Sequence, residues 1–330
     1  MNYFKKFDRK PFVIAEIGSN YDQNFEKLKK LITEAKNSGA DAVKIQLFNS
    51  SKLYPNLKSK EYRLFKKLEF KKSWFERIQK FCEKIRIEIF ASSFDKKSTE
   101  FLIKKKVNLL KFASSEADKL SDIIFATKFN KPTIYSTGMS EMRDIFNVVD
   151  IFNKFNNQNL CLMYCCSLYP PKDNDLNLSL IKKLIKNFNI PVGFSDHTIG
   201  SEAACVAVGL GATIFEKHIT LDRNSNGPDH YYATQPHEFK NYVSSIKKSF
   251  KMRGNGNFNL PMQVKINTRR SSLYWKKNLS RNSIIKSSDI ILKKNTFLGL
   301  PKFYDNFLVG QKLFKNVKKD QPVQTKDLKA

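Results

Sequence analysis

The 330-residue sequence predicts an α/β fold, a (β/α)8 TIM barrel followed by a small, mainly β module. Three observations lead there. Eight short runs rich in β-branched and aromatic residues alternate with longer amphipathic stretches. The alternating units fill about 250 residues, the usual size of such a barrel. A loop-like stretch then breaks the pattern, and short strands with turn-rich joints follow it.

In chain order the strand candidates are 12–18, 42–48, 88–94, 109–114, 132–138, 160–167, 191–197 and 213–221. Between them apolar residues recur at three and four residue spacing, as in Phe25, Leu28, Leu31, Ile32 and Ala35, or Phe75, Ile78, Phe81 and Cys82. That period places them on one buried helix face. A doubly wound sheet is the rival, but Gly18-Ser19-Asn20-Tyr21 after the first strand lacks the G-x-G-x-x-G spacing usual there. A last helix near 236–251 ends the barrel domain, 1–254. The stretch Arg253-Gly254-Asn255-Gly256-Asn257-Phe258-Asn259 opens a linker, 255–270. The tail, 271–330, carries strand candidates at 272–275 and 290–292.

Composition narrows the function classes. No apolar run approaches the ~20 residues of a transmembrane helix, and Met1-Asn2-Tyr3-Phe4-Lys5-Lys6-Phe7-Asp8 lacks the apolar core of a signal peptide. A cytoplasmic protein with no membrane partner is expected. Cys82, Cys161, Cys165, Cys166 and Cys205 fall mostly in apolar segments without CxxC pairing, which predicts buried free thiols. The formal net charge of +28 raises nucleic-acid binding as a possibility. The lysines are scattered, however, with no arginine-rich arm or RNA-binding aromatic motif, so a solvated surface and no nucleic-acid partner are expected. Such a field would still speed capture of a small phosphorylated anion.

In a parallel barrel, chemistry is built at the carboxyl ends of the strands. The candidates there are Glu16; Lys44 and Gln46; Ser92; Lys111, Ser114 and Glu116; Ser136; Ser167 and Tyr169; Ser195 and His197; and His218, in strand order. Buried unpaired charge is costly, so Glu16, Lys44 and Lys111 at similar positions on separate strands point to a polar pocket with a charged ligand. The serine hydroxyls beside the two lysines suit a phosphate on a small substrate. His197 and His218, on neighbouring strands, form an incomplete shell for Zn²⁺, Mn²⁺ or a similar ion, with positions left for water and substrate oxygen. Asp229 and His230 lie beyond the last strand, where they would cap the pocket, and His237 reads as a helix-start surface residue.

Eight motifs in order carry a resemblance: Ala15-Glu16-Ile17-Gly18-Ser19-Asn20; Ala40-Asp41-Ala42-Val43-Lys44-Ile45-Gln46; Lys111, Ser114 and Glu116; Ser136-Thr137-Gly138-Met139; Ser167-Leu168-Tyr169-Pro170; Ser195-Asp196-His197-Thr198-Ile199-Gly200; Glu216-Lys217-His218-Ile219-Thr220-Leu221-Asp222; and Gly227-Pro228-Asp229-His230. The chain resembles the sialic acid synthase family, with a tail similar to its antifreeze-like (SAF) domain. The resemblance implies condensation of phosphoenolpyruvate with an N-acyl amino sugar of the N-acetylmannosamine type, giving a nonulosonic acid and phosphate. It implies a divalent ion, Mn²⁺ or Mg²⁺, on His197 and His218. It implies that Lys44, Ser92, Lys111, Ser114, Ser136, Ser167, Tyr169 and Ser195 surround phosphoenolpyruvate. Glu16 and Asp229 would bind sugar hydroxyls, Gln46 would orient a water, and Glu116 would transfer a proton near carbon 2.

The resemblance also implies a homodimer with swapped tails, each lending an arginine to the sugar's N-acyl group. Here Asn295 stands where that arginine is expected, with Lys294 beside it. Tyr21 replaces a histidine common in the family, and Ser167 an asparagine. A related diamino sugar, giving a legionaminic- or pseudaminic-type acid, is therefore an alternative product. Two other readings stay open: a Schiff-base aldolase using Lys44 or Lys111, and a noncatalytic sugar- or polyanion-binding protein.

Overall fold

The computed structural model describes residues 2–116, 119–257, 261, 270–294 and 298–328. Contacts divide the chain into two compact units, Met1–Gly254 and Asn255–Ala330. In the first, β1 (Phe12–Glu16), β2 (Ala42–Leu47), β3 (Glu88–Ser93), β4 (Leu110–Phe112), β5 (Thr133–Ser136), β6 (Leu160–Cys165), β7 (Val192–Asp196) and β8 (Ile214–His218) close in sequence order. All neighbours are parallel, and β8 returns to β1 with Glu16 opposite His218. The (β/α)8 barrel is thus the observed architecture.

Helices α1 (Phe25–Asn37), α4 (Phe75–Ile85), α5 (Lys96–Lys104), α6 (Leu120–Thr127), α7 (Met142–Lys154), α8 (Ser179–Phe188), α9 (Glu202–Gly209) and α10 (Pro236–Arg253) follow the eight strands. Two more, α2 (Ser50–Leu53) and α3 (Lys60–Leu68), are inserted between β2 and α4. Helix ends carry their own partners: the Asn24 side chain accepts from the Lys27 N–H at the start of α1, and that of Ser59 from the Tyr62 N–H at the start of α3. Ser50 closes the insertion on itself, its N–H and hydroxyl both donating to Glu69 Oε1.

Strand side chains alternate between two apolar clusters, because both faces of a parallel sheet are covered. Val13, Ala15, Val43, Ile45 and Leu47 pack outward under the helices. Phe12, Ile14, Ala42, Phe90, Leu109, Ile134, Cys161, Met163 and Ile214 form a separate cluster within the barrel, joined by Phe4. Phe4 comes from a 3-10 turn, Tyr3–Asp8, and is fully buried. Asn2 holds that turn in place, accepting from the Phe4 N–H and donating to the Leu160 carbonyl. The first residues of the chain, which as sequence only argued against a signal peptide, thus close the barrel floor.

The observed strands are shorter than their sequence candidates, chiefly at the carboxyl ends. Ser114, Ser167 and His197 consequently sit just past their strands, on the loops. Among the described residues no helix is long and apolar enough to cross a membrane, and all five cysteines are free.

The second unit pairs β9 (Ser271–Trp275) with β10 (Ile290–Lys294), antiparallel. Trp275 is its buried centre, packed with Leu273, Ile285, Leu308, Leu313, Val317 and Val323, and its indole N–H donates to Asp327 Oδ2 at 3.2 Å. Most of the 255–270 linker, and Asn295, lie outside the described residues.

Candidate active site

Above the apolar floor the barrel interior turns polar. A cavity of about 200 Å³ opens at the carboxyl ends of the strands and is lined by Glu16, Lys44, Gln46, Ser92, Lys111, Ser114, Ser136, Ser167, Tyr169, Ser195, His197 and His218. Twelve of the fifteen residues singled out from sequence therefore share one wall. Cys165 and Glu216 line it as well. Cys165 Sγ lies 3.1 Å from Ser114 Oγ, and burial pushes its thiol pKa up. Gly138 has to lack a side chain here: a Cβ would fall 2.4 Å from Ser167 Oγ and 2.7 Å from Cys165 Sγ.

Glu216 organises the charges. Its two oxygens take Lys44 Nζ at 3.2 Å and Lys111 Nζ at 2.9 Å, and Ser195 Oγ donates to it at 3.2 Å. Lys44 also reaches Glu16 at 2.9 Å and donates to Ser92 Oγ. The lysines thus line the cavity and are ion-paired at the same time. Burial acts to raise Glu216, but Lys111 and Lys44 outweigh it and hold its carboxyl below the usual range. Glu16 goes the other way: burial and the neighbouring Glu216 charge raise it in spite of Lys44. Burial alone would lower Lys44, but its two carboxylates raise it, which keeps the amine protonated and unsuited to Schiff-base attack. Lys111 is lowered by burial and by Lys44, against the pull of Glu216.

Glu216 was missed in the sequence although the signal was present. It stands two residues before His218, hence on the same face of β8, as Ser195 stands before His197.

The two imidazoles are 5.8 Å apart between ring centroids, with Tyr169 4.1 Å from His197 and Tyr232 5.1 Å from His218. Burial lowers both to about 4, with the neighbouring His218 adding to the effect on His197. Each is therefore neutral at pH 7 with one nitrogen lone pair available. His197 Nδ1 lies 2.9 Å from the Cys166 carbonyl. It donates there, which fixes the tautomer and leaves Nε2 as the acceptor, the arrangement that orients metal-ligating histidines. His218 Nδ1 is buried with no hydrogen-bond partner among the described residues. Both features fit a divalent ion. Among the described residues no group of three or more His, Cys, Asp or Glu side chains gathers to hold a metal ion.

Asp229 and Glu116 lie off this wall. Asp229 borders an adjoining hollow of about 130 Å³, together with Gly18, Ser19, Gln46, Phe48, Phe65, Leu68 and Pro228. Its Oδ1 accepts from the Tyr232 hydroxyl and its Oδ2 from the Ser19 hydroxyl, both at 2.9 Å. Gly18, at φ +53°, makes the approach possible, since a Cβ would stand 2.8 Å from Asp229 Oδ2. His230 braces the same loop between Thr220 Oγ1 at 2.7 Å and Asp22 Oδ1 at 3.0 Å. Glu116 is buried in a 3-10 turn, Ser114–Glu116, with Lys119 2.9 Å away. Tyr21 packs into the helix-side core against Phe70 and Trp74 rather than into the cavity.

Residues 31–258 match the model of the NeuB family. A pseudaminic acid synthase of Campylobacter jejuni subsp. jejuni serotype O:2 is 32% identical over 325 residues, 94% of this chain and 94% of that protein. An N,N'-diacetyllegionaminic acid synthase of Legionella pneumophila is 31% identical over 328 residues, 93% of this chain and 91% of that protein. The crystal structure of an N-acetylneuraminic acid (sialic acid) synthetase from Leptospira borgpetersenii superposes with a TM-score of 0.75 at 31% identity, covering 78% of this chain and 90% of that one.

Proposed function

The chain belongs to the NeuB family and is an enzyme of that family of acid synthases, and from this premise we propose that it condenses phosphoenolpyruvate with an N-acyl amino sugar to give a nonulosonic acid and phosphate. One observation carries the reading: two cationic amines and a ring of serine hydroxyls share a single cavity with two neutral imidazoles. Carbon 3 of phosphoenolpyruvate bonds to the acceptor's aldehyde carbon, water adds at carbon 2, and the carbon 2–oxygen bond to phosphate breaks.

Lys44 and Lys111, with Ser92, Ser114, Ser136, Ser167 and Ser195, supply donors for the phosphate and carboxylate oxygens. A trianionic ligand would share the two ammonium groups with Glu216, so binding re-partitions existing pairs rather than bringing bare charges together. Tyr169, tilted against His197 on the cavity wall, would stand beside the bound phosphoenolpyruvate. Gln46 lines the cavity and Glu116 does not, which supports Gln46 as the residue that orients the incoming water. His197 and His218 would hold a divalent ion, Mn²⁺ or Mg²⁺, whose Lewis acidity polarises the acceptor carbonyl. Glu16 and Asp229 would take acceptor hydroxyls. An exchanged-tail homodimer belongs to the same proposal.

The named activities of the relatives span pseudaminic, legionaminic and sialic acids at nearly equal identity, so kinship does not choose among the acceptors. The test is phosphate release from phosphoenolpyruvate with Mn²⁺ and a panel of N-acyl hexosamines. Release with at least one acceptor is expected. Folded protein that releases none with any acceptor would overturn the reading.

A further inference from the structure

Two buried charges stand on the helix-facing side of the barrel, each next in sequence to one of the two histidines. Alternation sends Phe194 and Phe215 outward into the helix-side core and Ser195 and Glu216 inward to the cavity, so Asp196 and Lys217 turn outward again. Beside Glu16, Gln46 and Lys111 that outward place is filled by Ile17, Leu47 and Phe112. Asp196 and Lys217 are 1% and 3% exposed. They are partners in the β7–β8 register, with Asp196 Oδ2 3.2 Å from Lys217 Nζ. The Tyr242 ring of α10 lies against the pair, 4.9 Å from the ammonium.

A buried ion pair is a poor source of stability, because desolvation offsets the attraction, and apolar residues of similar size would serve the core as well or better. What hydrogen-bonded charges have and apolar side chains lack is direction. Here the directions converge on the residues that flank His197, which lies one residue past the end of β7. Asp196 Oδ1 accepts from the Thr198 N–H at 2.9 Å and from the Thr198 hydroxyl at 2.7 Å, and Lys217 Nζ donates to the Thr198 carbonyl at 2.6 Å. Lys217 is itself the residue before His218 on β8. One ammonium group thus fastens the residues on both sides of His197, and does so from the chain position adjoining His218.

We propose that Asp196 and Lys217 are positioning residues for the two histidines: their buried pair fixes where the His197 segment leaves β7 relative to His218 on β8, and so sets the affinity of the site for a divalent ion. This rests on the proposed ion at His197 and His218 and adds two residues that lie outside the cavity. The test titrates Mn²⁺ alone into the full chain, follows free Mn²⁺ by its electron paramagnetic resonance signal, and records a thermal melt of each protein. The proteins are the natural chain, His218→Ala, Lys217→Met and the double variant Asp196→Asn/Lys217→Met. Lys217→Met leaves the Asp196 carboxylate buried and unpaired, so its melting temperature should fall; in the double variant both charges are gone and the melting temperature should return most of the way. Mn²⁺ affinity should not return with it. Both variants lack the donor to the Thr198 carbonyl and should bind Mn²⁺ about tenfold to a hundredfold more weakly than the natural chain, the usual loss when a residue that orients metal ligands is removed. If Lys217→Met does not fold, the double variant against the natural chain carries the same comparison. Natural Mn²⁺ affinity in the double variant overturns the inference and leaves the metal reading standing, and so does a double variant that recovers neither stability nor affinity, because the pair then holds the fold and not the site. A natural chain that binds no Mn²⁺, or binds it no better than His218→Ala, overturns the metal reading and the inference with it.

Discussion

Replacing Glu216 by glutamine probes the charge arrangement most directly. The substitution keeps the shape and removes the one anion that Lys44 and Lys111 share, at 3.2 and 2.9 Å. At an effective dielectric of roughly 20, each contact is a Coulomb term of about 5 kcal/mol. Relief of the desolvation of Glu216 and of its repulsion with Glu16 offsets much of this. Removing one partner of a buried pair typically costs about 3–5 kcal/mol net, and the lower end applies because Lys44 keeps Glu16 at 2.9 Å. A loss of about 3 kcal/mol lowers the melting temperature of a unit this size by roughly 6–12 °C. The distinctive expectation concerns the ligand. With Glu216 neutral, the two ammonium groups are under-compensated, so phosphoenolpyruvate should raise the melting temperature of Glu216→Gln more than that of the natural chain. Thermal melts with and without phosphoenolpyruvate measure both effects. A variant as stable as the natural chain, or one that gains less from phosphoenolpyruvate, would refute the idea that Glu216 balances the phosphate-binding lysines.

Three further outcomes are expected. His218→Ala should abolish phosphate release while leaving the circular dichroism spectrum and melting transition in place, and dialysis against a chelator should do the same to the natural chain until Mn²⁺ is restored; full activity in either case removes the metal from the mechanism. Phe4→Ala should cost about 3–5 kcal/mol in urea unfolding, the usual loss for a fully buried phenylalanine, with both substrate KM values unchanged, because Phe4 lies on the floor and not on the site wall. Given the net charge of +28, kcat/KM for phosphoenolpyruvate should fall several-fold as salt rises from about 0.02 to 0.2 M, at constant kcat, since screening shortens the reach of the field; a flat salt profile would mean that capture is not steered.

Much of the site was legible because a parallel barrel turns linear sequence into radial position. Once eight strands are recognised, the polar residues near their carboxyl ends are brought to one end of the barrel. That reasoning found Lys44, Lys111, the serines and both histidines. It ran out where position depends on a loop and not on a strand. Asp229 was identified, but its seat in a separate hollow is set by Ser19, Tyr232 and the positive φ of Gly18, whose partners come from opposite ends of the barrel domain. The α2–α3 insertion carries no polar motif, and only its closure by Glu69 on Ser50 and by Phe65 on Phe48 makes it a wall.

Glu216 exposes a limit of a different kind. Treating each charge in a strand as evidence for a ligand or for a partner sets up a choice that this barrel does not make. Two amines and two carboxylates are buried together, and because each lysine is compensated before any substrate arrives, the cavity can hold strong phosphate donors without the cost of an isolated buried cation. An anion that enters has to compete with Glu216 for those donors. On the proposed condensation, affinity for phosphoenolpyruvate would then be moderated rather than maximal, and the same lysines would release inorganic phosphate after the carbon–oxygen bond has broken. A site built from uncompensated lysines would bind the product anion as tightly as the substrate, and turnover would be limited by its departure.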